Sequence, residues 1–97
     1  MIKVFETRDK TNRIIYLSEE RWKHIVQQHS IMQNILSVER IKDTLLKPDT
    51  VIPDNYDINK KFYFRYYKDK REYLFISVKY LNGEGFIITS FYTDKIR

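Results

Sequence analysis

The alternation of apolar and polar positions divides the chain into a β region, a helical region and a second β region. Residues Ile2 to Glu6 read as a short strand, and Arg8-Asp9-Lys10-Thr11-Asn12 as a polar turn. The β-branched, apolar run Arg13-Ile14-Ile15-Tyr16-Leu17 reads as a second strand. The period then changes. Ser18 offers an N-cap oxygen, and Glu19 and Glu20 follow in the first turn, where the helix dipole favours negative charge. The helix so begun is predicted to run to about His29. Trp22, Ile25, Val26 and His29 fall on one stripe of it, and His24 points nearly opposite. A second helix is predicted from Ser37 through Val38 to Lys47, with Ile41, Leu45 and Val38 or Leu46 as its apolar stripe, ended by Pro48. Thr50-Val51-Ile52-Pro53 is extended at most, and Asp54 to Asn59 is a loop.

Everything beyond Asn59 is strand in character. Phe62 to Tyr67, Glu72 to Leu81 and Gly85 to Thr93 are rich in aromatic and β-branched residues. Lys68-Asp69-Lys70-Arg71 turns the first pair. Asn82-Gly83 turns the second, since both central positions of a type I′ turn need positive φ. These elements predict an α+β fold: two N-terminal helices packed on a twisted antiparallel sheet of about four strands, in a two-layer sandwich formed by residues 1–97 as one domain.

If Asn82-Gly83 is a two-residue turn, Leu81 opposes Glu84, Val78 opposes Ile87 and Ile76 opposes Thr89. Opposed residues share a face. The drier face then carries Leu74, Ile76, Val78, Tyr80, Ile87, Thr89 and Phe91, and belongs under the helices. Tyr73, Phe75, Ser77, Lys79, Phe86, Ile88, Ser90 and Tyr92 form the other, aromatic and polar.

Charge sharpens that second surface. The formal net charge is +5, but residues 1–59 hold nine basic and nine acidic side chains, whereas residues 60–97 hold nine basic and four acidic ones. In the latter part Lys60, Lys61, Arg65, Lys68, Lys70 and Arg71 interleave with Phe62, Tyr63, Phe64, Tyr66 and Tyr67, and Lys79 follows on the next strand. Cations for phosphates, alternating with rings on which bases stack, are what single-stranded nucleic acid needs from a sheet. The competing reading is plain: aromatic residues are good strand formers, and lysines solubilise. RNA leads as partner, with Lys60, Lys61, Tyr67, Lys68, Lys70, Arg71 and Lys79 as its contacts. The absence of cysteine excludes a disulfide framework and a thiolate zinc site. No run approaches the ~18 apolar residues of a membrane span, and the first residues do not read as a signal peptide, so a cytoplasmic location is expected.

The chemistry available is narrow. His24 and His29 are the only histidines, five residues apart, so they do not share a helical face for a metal. A zinc enzyme is disfavoured, and no cofactor is called for. A histidine on an apolar stripe is usually structural, but one near a helix C-terminus has its imidazolium stabilised. If the Lys68–Arg71 turn keeps Arg65 opposite Leu74, then His29, Arg65 and Thr89 point into the same layer. Metal-free RNA cleavage needs a proton acceptor for the 2′-hydroxyl, a donor for the leaving 5′-oxygen and a cation on the phosphorane. Histidine, arginine and a hydroxyl from Thr89, Ser90, Tyr67 or Tyr92 cover these roles. Glu72 and Glu84 are further candidate bases, less favoured because both flank turns.

Three stretches together resemble a known family. They are Ile15-Tyr16-Leu17-Ser18-Glu19-Glu20-Arg21-Trp22-Lys23-His24-Ile25 followed by His29, then Thr44-Leu45-Leu46-Lys47-Pro48-Asp49-Thr50-Val51, and finally Gly85-Phe86-Ile87-Ile88-Thr89-Ser90-Phe91-Tyr92. They are similar to phage-type members of the barnase–EndoU–colicin–RelE-like nuclease superfamily over roughly residues 13–93. The resemblance implies a RelE/barnase-like sandwich and RNA cleavage without a metal. It assigns the histidine to His29 or His24, the arginine to Arg65 or Arg71, and the hydroxyl to Thr89 or Ser90. One departure is Ser30, where the family commonly has proline. The expected function is a small metal-independent endoribonuclease, a toxin or mobile-element effector, with an acidic antitoxin or immunity protein as a possible partner. The alternative is a non-catalytic RNA- or protein-binding module using the same basic aromatic sheet.

Overall fold

A computed structural model describes residues 1–96. Strands β1 (Lys3–Arg8) and β2 (Ile14–Ser18) lead into helix α1 (Glu19–Gln28), a 3₁₀ turn (Ser30–Met32) and helix α2 (Ile35–Leu46). Strands β3 (Thr50–Pro53), β4 (Lys60–Tyr67), β5 (Glu72–Leu81) and β6 (Glu84–Thr93) complete the chain. Local chemistry sets the helix starts. The Ser18 hydroxyl accepts the Arg21 amide at 3.1 Å, as predicted. Asn34 Oδ1 accepts the Ser37 amide at 2.8 Å and starts α2 two residues earlier than the apolar stripe suggested.

The α+β class holds, but the sheet is larger and mixed. All six strands join in the order β1-β2-β6-β5-β4-β3. Every pairing is antiparallel except β2–β6, which is parallel through Ile15–Gly85 and Tyr16–Phe86. The helices are therefore not N-terminal to the sheet but inserted between its second and third strands. The parallel joint needs close approach: a methyl on Gly85 would press into Ile15 Cδ1 and come within 3.0 Å of Val78 Cγ1.

The last hairpin follows the predicted turn and then departs from the predicted register. Asn82 and Gly83 have φ of +55° and +81°, and Leu81–Glu84 and Val78–Ile87 pair as predicted. Between Ser77 and Val78 the register then slips, so Ile76 faces Ser90 and Ser77 faces Thr89. Ile88 is the extra residue of this β-bulge. From there on the faces are exchanged: Ser90 and Tyr92 turn toward the helices, and Thr89 and Phe91 turn away.

The helix-facing core comprises Ile15, Leu17, Ile25, Met32, Ile41, Leu45, Tyr63, Leu74, Ile76, Val78 and Ile87, with Trp22, Val38, Tyr67 and Tyr92 at its margin. One carboxylate lies inside it. Asp9, 1% exposed, accepts the Tyr80 hydroxyl at 2.7 Å and the Thr11 amide and hydroxyl at 2.8 and 2.6 Å. The Arg13 amide donates to it at 3.1 Å, and the Tyr63 hydroxyl at 3.3 Å. Burial alone would raise its pKa, but the hydrogen bonds from Thr11, Tyr80 and the backbone together outweigh that and hold it below the ordinary carboxylate value. The Lys10 amide meets the Leu45 carbonyl at 3.0 Å, so this turn also fastens β1–β2 to the end of α2.

Candidate nucleic-acid interface and active site

The face turned away from the helices is an aromatic surface built by register. Phe62, Phe64 and Tyr66 on β4 stand opposite Ser77, Phe75 and Tyr73 on β5, and Phe75 stands opposite Phe91 on β6. Ring centroids are separated by 5.4 Å for Phe62–Phe75, 5.3 Å for Phe64–Phe75, 4.8 Å for Phe75–Phe91 and 5.2 Å for Tyr66–Tyr73. A cavity of about 120 Å³ opens among Phe62, Phe64, Phe75, Phe91, Thr93 and Lys95. Cations border this face. Lys60 Nζ lies 5.9 Å from the Phe62 ring. Lys79 stands opposite Lys60 and is paired with Asp57, whose carboxyl it holds below its usual range, helped by the Asn59 amide.

Helix α1 delivers His29 to the end of this surface. Beyond Phe86, β6 leaves the parallel pairing, and α1, continuing from β2, packs against it instead. The His29 amide caps the helix on the Ile25 carbonyl at 2.8 Å, and its ring lies 4.7 Å from that of Phe91. His29 is half-buried and His24 exposed, as the helical stripe predicts. The expected meeting of His29, Arg65 and Thr89 does not form. Arg65 does oppose Leu74, under the helices, with Nη1 3.4 Å from the Asp43 and Lys47 carbonyls at the end of α2. Thr89 is on the opposite face because of the bulge. Ser90 is fully buried, and its hydroxyl donates to the Phe75 carbonyl at 2.8 Å.

Tyr92, on the helix side, belongs to another group. Its hydroxyl accepts from Arg40 Nη1 at 3.2 Å, and Lys70 Nζ lies 5.5 Å from its ring. The Arg40 guanidinium lies 4.2 Å over Tyr67 and reaches Asp69 Oδ1 at 2.8 Å. Tyr67 donates its hydroxyl to the Arg40 carbonyl at 3.3 Å, and burial, the largest influence, pushes its pKa up. Of the other expected contacts, Lys68 and Arg71 are exposed on the β4–β5 turn, where Arg71 takes φ of +54°. Lys61 stands on β4 between Pro53 and Val78, half-buried.

Sequence reasoning missed Arg40, Thr93, Lys95 and the buried Asp9. Only Asp9 carried a local signal, an Asp two residues before Thr11 in a polar turn, where an Asx motif forms. Arg40 flanks the apolar stripe of α2, and nothing local says what a long side chain there will reach. Among the described residues no three His, Asp or Glu side chains are grouped as a metal site requires, and no helix is long and apolar enough to cross a membrane.

No curated protein and no solved structure gives a significant match to this chain. A family model does match, that of phage-Barnase-EndoU-ColicinE5/D-RelE like nuclease2 (PBECR2), over residues 3–97. With a match across nearly its whole length, on an α+β fold whose aromatic face ends at a histidine, the chain belongs to this family of nuclease-like domains.

Proposed function

We propose that the protein is a small endoribonuclease that cleaves single-stranded RNA without a metal ion, and that His29 moves the proton. One observation carries the reading: His29 contacts the last ring of the Phe62–Phe75–Phe91 run, with Thr93 and Lys95 lining the cavity beside it. Bases stacked on these rings would bring the phosphate between them to the margin where the imidazole stands. In the proposed reaction the neutral imidazole takes the 2′-hydroxyl proton, and the 2′-oxygen attacks phosphorus. The 5′-oxygen leaves as an alcohol, taking a proton from solvent water whose hydroxide removes the proton held by the imidazolium, and a 2′,3′-cyclic phosphate remains. Lys95, which lines the cavity beside Phe91, is the cation assigned here to the developing charge. Thr89, on the same face as Phe91, is the hydroxyl that stays in contention. Arg65, Ser90 and His24 are better read as structural or surface groups, given their partners and exposure. A toxin or mobile-element role, with a small acidic antitoxin or immunity protein over the basic aromatic face, fits this reading.

The test is digestion of a mixed RNA pool by purified protein in EDTA, beside His29→Ala. Wild type should leave cyclic phosphate ends, and the variant should be slower by roughly 10²–10⁴-fold, as for loss of a general acid–base group. Equal cleavage by the variant removes His29 from the mechanism, and cleavage only after divalent metal is restored removes the metal-free route. A second reading is a binding module without catalysis. It is favoured by the dispersal of the expected set, since Arg65 lies under the helices and Thr89 on the other face. Tight RNA binding with intact substrate would establish it.

A further inference from the structure

We infer that Arg40 is a phosphodiester-binding group kept occupied by Asp69, which a nucleic-acid phosphate displaces. The inference rests on the nucleic-acid reading above but not on cleavage. Arg40 is held at three points. Its guanidinium carbon lies 4.2 Å from the centre of the Tyr67 ring, Nη1 donates to the Tyr92 hydroxyl at 3.2 Å, and Nη2 meets Asp69 at 2.8 Å. The first two contacts root it: the Arg40 side chain is only 14% exposed, and its partners belong to two central strands. The third is of a different kind. Asp69 sits on the four-residue β4–β5 turn, 53% exposed, where solvent makes an ion pair weak and easily exchanged.

A planar guanidinium oriented by a ring and a hydroxyl is preorganised for an oxyanion, and a phosphate presents the same oxygens as the carboxylate now there. The surroundings favour the exchange. Lys68, Lys70 and Arg71 share the turn with Asp69, Lys70 reaches the Tyr92 ring, and Arg65 lies 5.6 Å from the Tyr67 ring. Asp43 also acts on Tyr67 from α2, but Asp69 is the acid that touches the guanidinium. With Asp69 released, the Tyr67–Tyr92 pair is ringed by cations. Phe91 and Tyr92 point to opposite faces, so a strand stacked on the aromatic face reaches Arg40 only by passing over the hairpin end of the sheet. The phosphate bound there is therefore outside the stacked run.

The experiment measures affinity for an uncleavable single-stranded deoxyoligonucleotide at several salt concentrations, with thermal unfolding of each variant as a fold check. Arg40→Gln should weaken binding about tenfold and flatten the salt slope by about one contact. Asp69→Asn should tighten it, about tenfold if the carboxylate occupies Arg40 nine-tenths of the time. In the Arg40→Gln background, Asp69→Asn should add no more than the exposed-charge control Glu20→Gln. Arg40→Lys should recover part of the slope but not the affinity, because it lacks the fork. Equal tightening by Asp69→Asn with and without Arg40 overturns the inference, as does an unchanged affinity in Arg40→Gln. An Arg40-dependent affinity for inorganic phosphate with no effect on the oligonucleotide overturns the backbone assignment. RNA cleavage is scored separately: Arg40-dependent binding by a protein that cuts nothing keeps this site and discards the endoribonuclease.

Discussion

At the scale of single residues, Asp9 is the group on which most depends. Its carboxylate accepts from two tyrosines, a threonine and two backbone amides while fully enclosed. Its folded pKa is depressed, so its contribution is complete above the unfolded value of 3.8 and is lost as pH falls through the lower folded value. Denaturant midpoints should hold through the neutral range and fall below about pH 4. Asp9→Ala should lower stability at pH 7 by roughly 3 kcal/mol, since several buried donors lose their acceptor at ~1–3 kcal/mol each. A wild-type midpoint that is flat down to pH 3 would show that the carboxylate is not the acid-sensitive group. Ser77 is the opposite case: its hydroxyl is buried with no hydrogen-bond partner among the described residues. Ser77→Ala should raise stability by about 1 kcal/mol, which thermal unfolding will read directly.

At the scale of elements, what was legible depended on how local the signal was. The α1 cap at Ser18, the stripe separating His29 from His24, and the Asn82-Gly83 turn were all readable, because each follows from a few adjacent residues. The bulge was not. Ile88 is β-branched and apolar, at home on either face, so nothing local marked it as unpaired, and the one-residue slip moved Thr89 away from Arg65. The parallel β2–β6 joint was equally silent, since it depends on Ile15 finding the bare backbone of Gly85 seventy positions away. That joint makes its own prediction. Gly85→Ala should destabilise by about 1–3 kcal/mol through overpacking against Ile15, Val78 and Tyr80. A variant with unchanged melting temperature would mean that β2 can shift to accommodate a methyl.

For the whole molecule, the sheet separates two kinds of work. The helix side holds the hydrophobic core and the anchored Asp9 and Arg40. The other side presents rings, a cavity and bordering lysines. On the proposed reading, stacking and charge should be separable in RNA binding. Phe62→Leu should weaken binding about tenfold at every salt concentration, leaving the slope intact. Lys60→Ala should reduce the slope by about 0.7, the share of one phosphate contact on a single strand. If Phe62→Leu changes the slope as Lys60→Ala does, the rings are not stacking bases and serve only to support the lysines. The site itself was half visible in advance: the aromatic and basic composition of residues 60–93 was evident, but which rings share a face with His29 depended on the bulge.

Strand order has a consequence for the birth of the protein. β6 lies in the interior of the sheet, between β2 and β5, yet of these six strands it is the last to be synthesised. Until residues 84–93 have been made, the β1–β2 pair has no link to the rest of the sheet, Phe91 is not there to meet His29, and Tyr92 is not there to hold Arg40. Such long-range closure is slow compared with local pairing. The aromatic face, whose Phe75–Phe91 contact needs β6, is therefore completed only in a late step of folding.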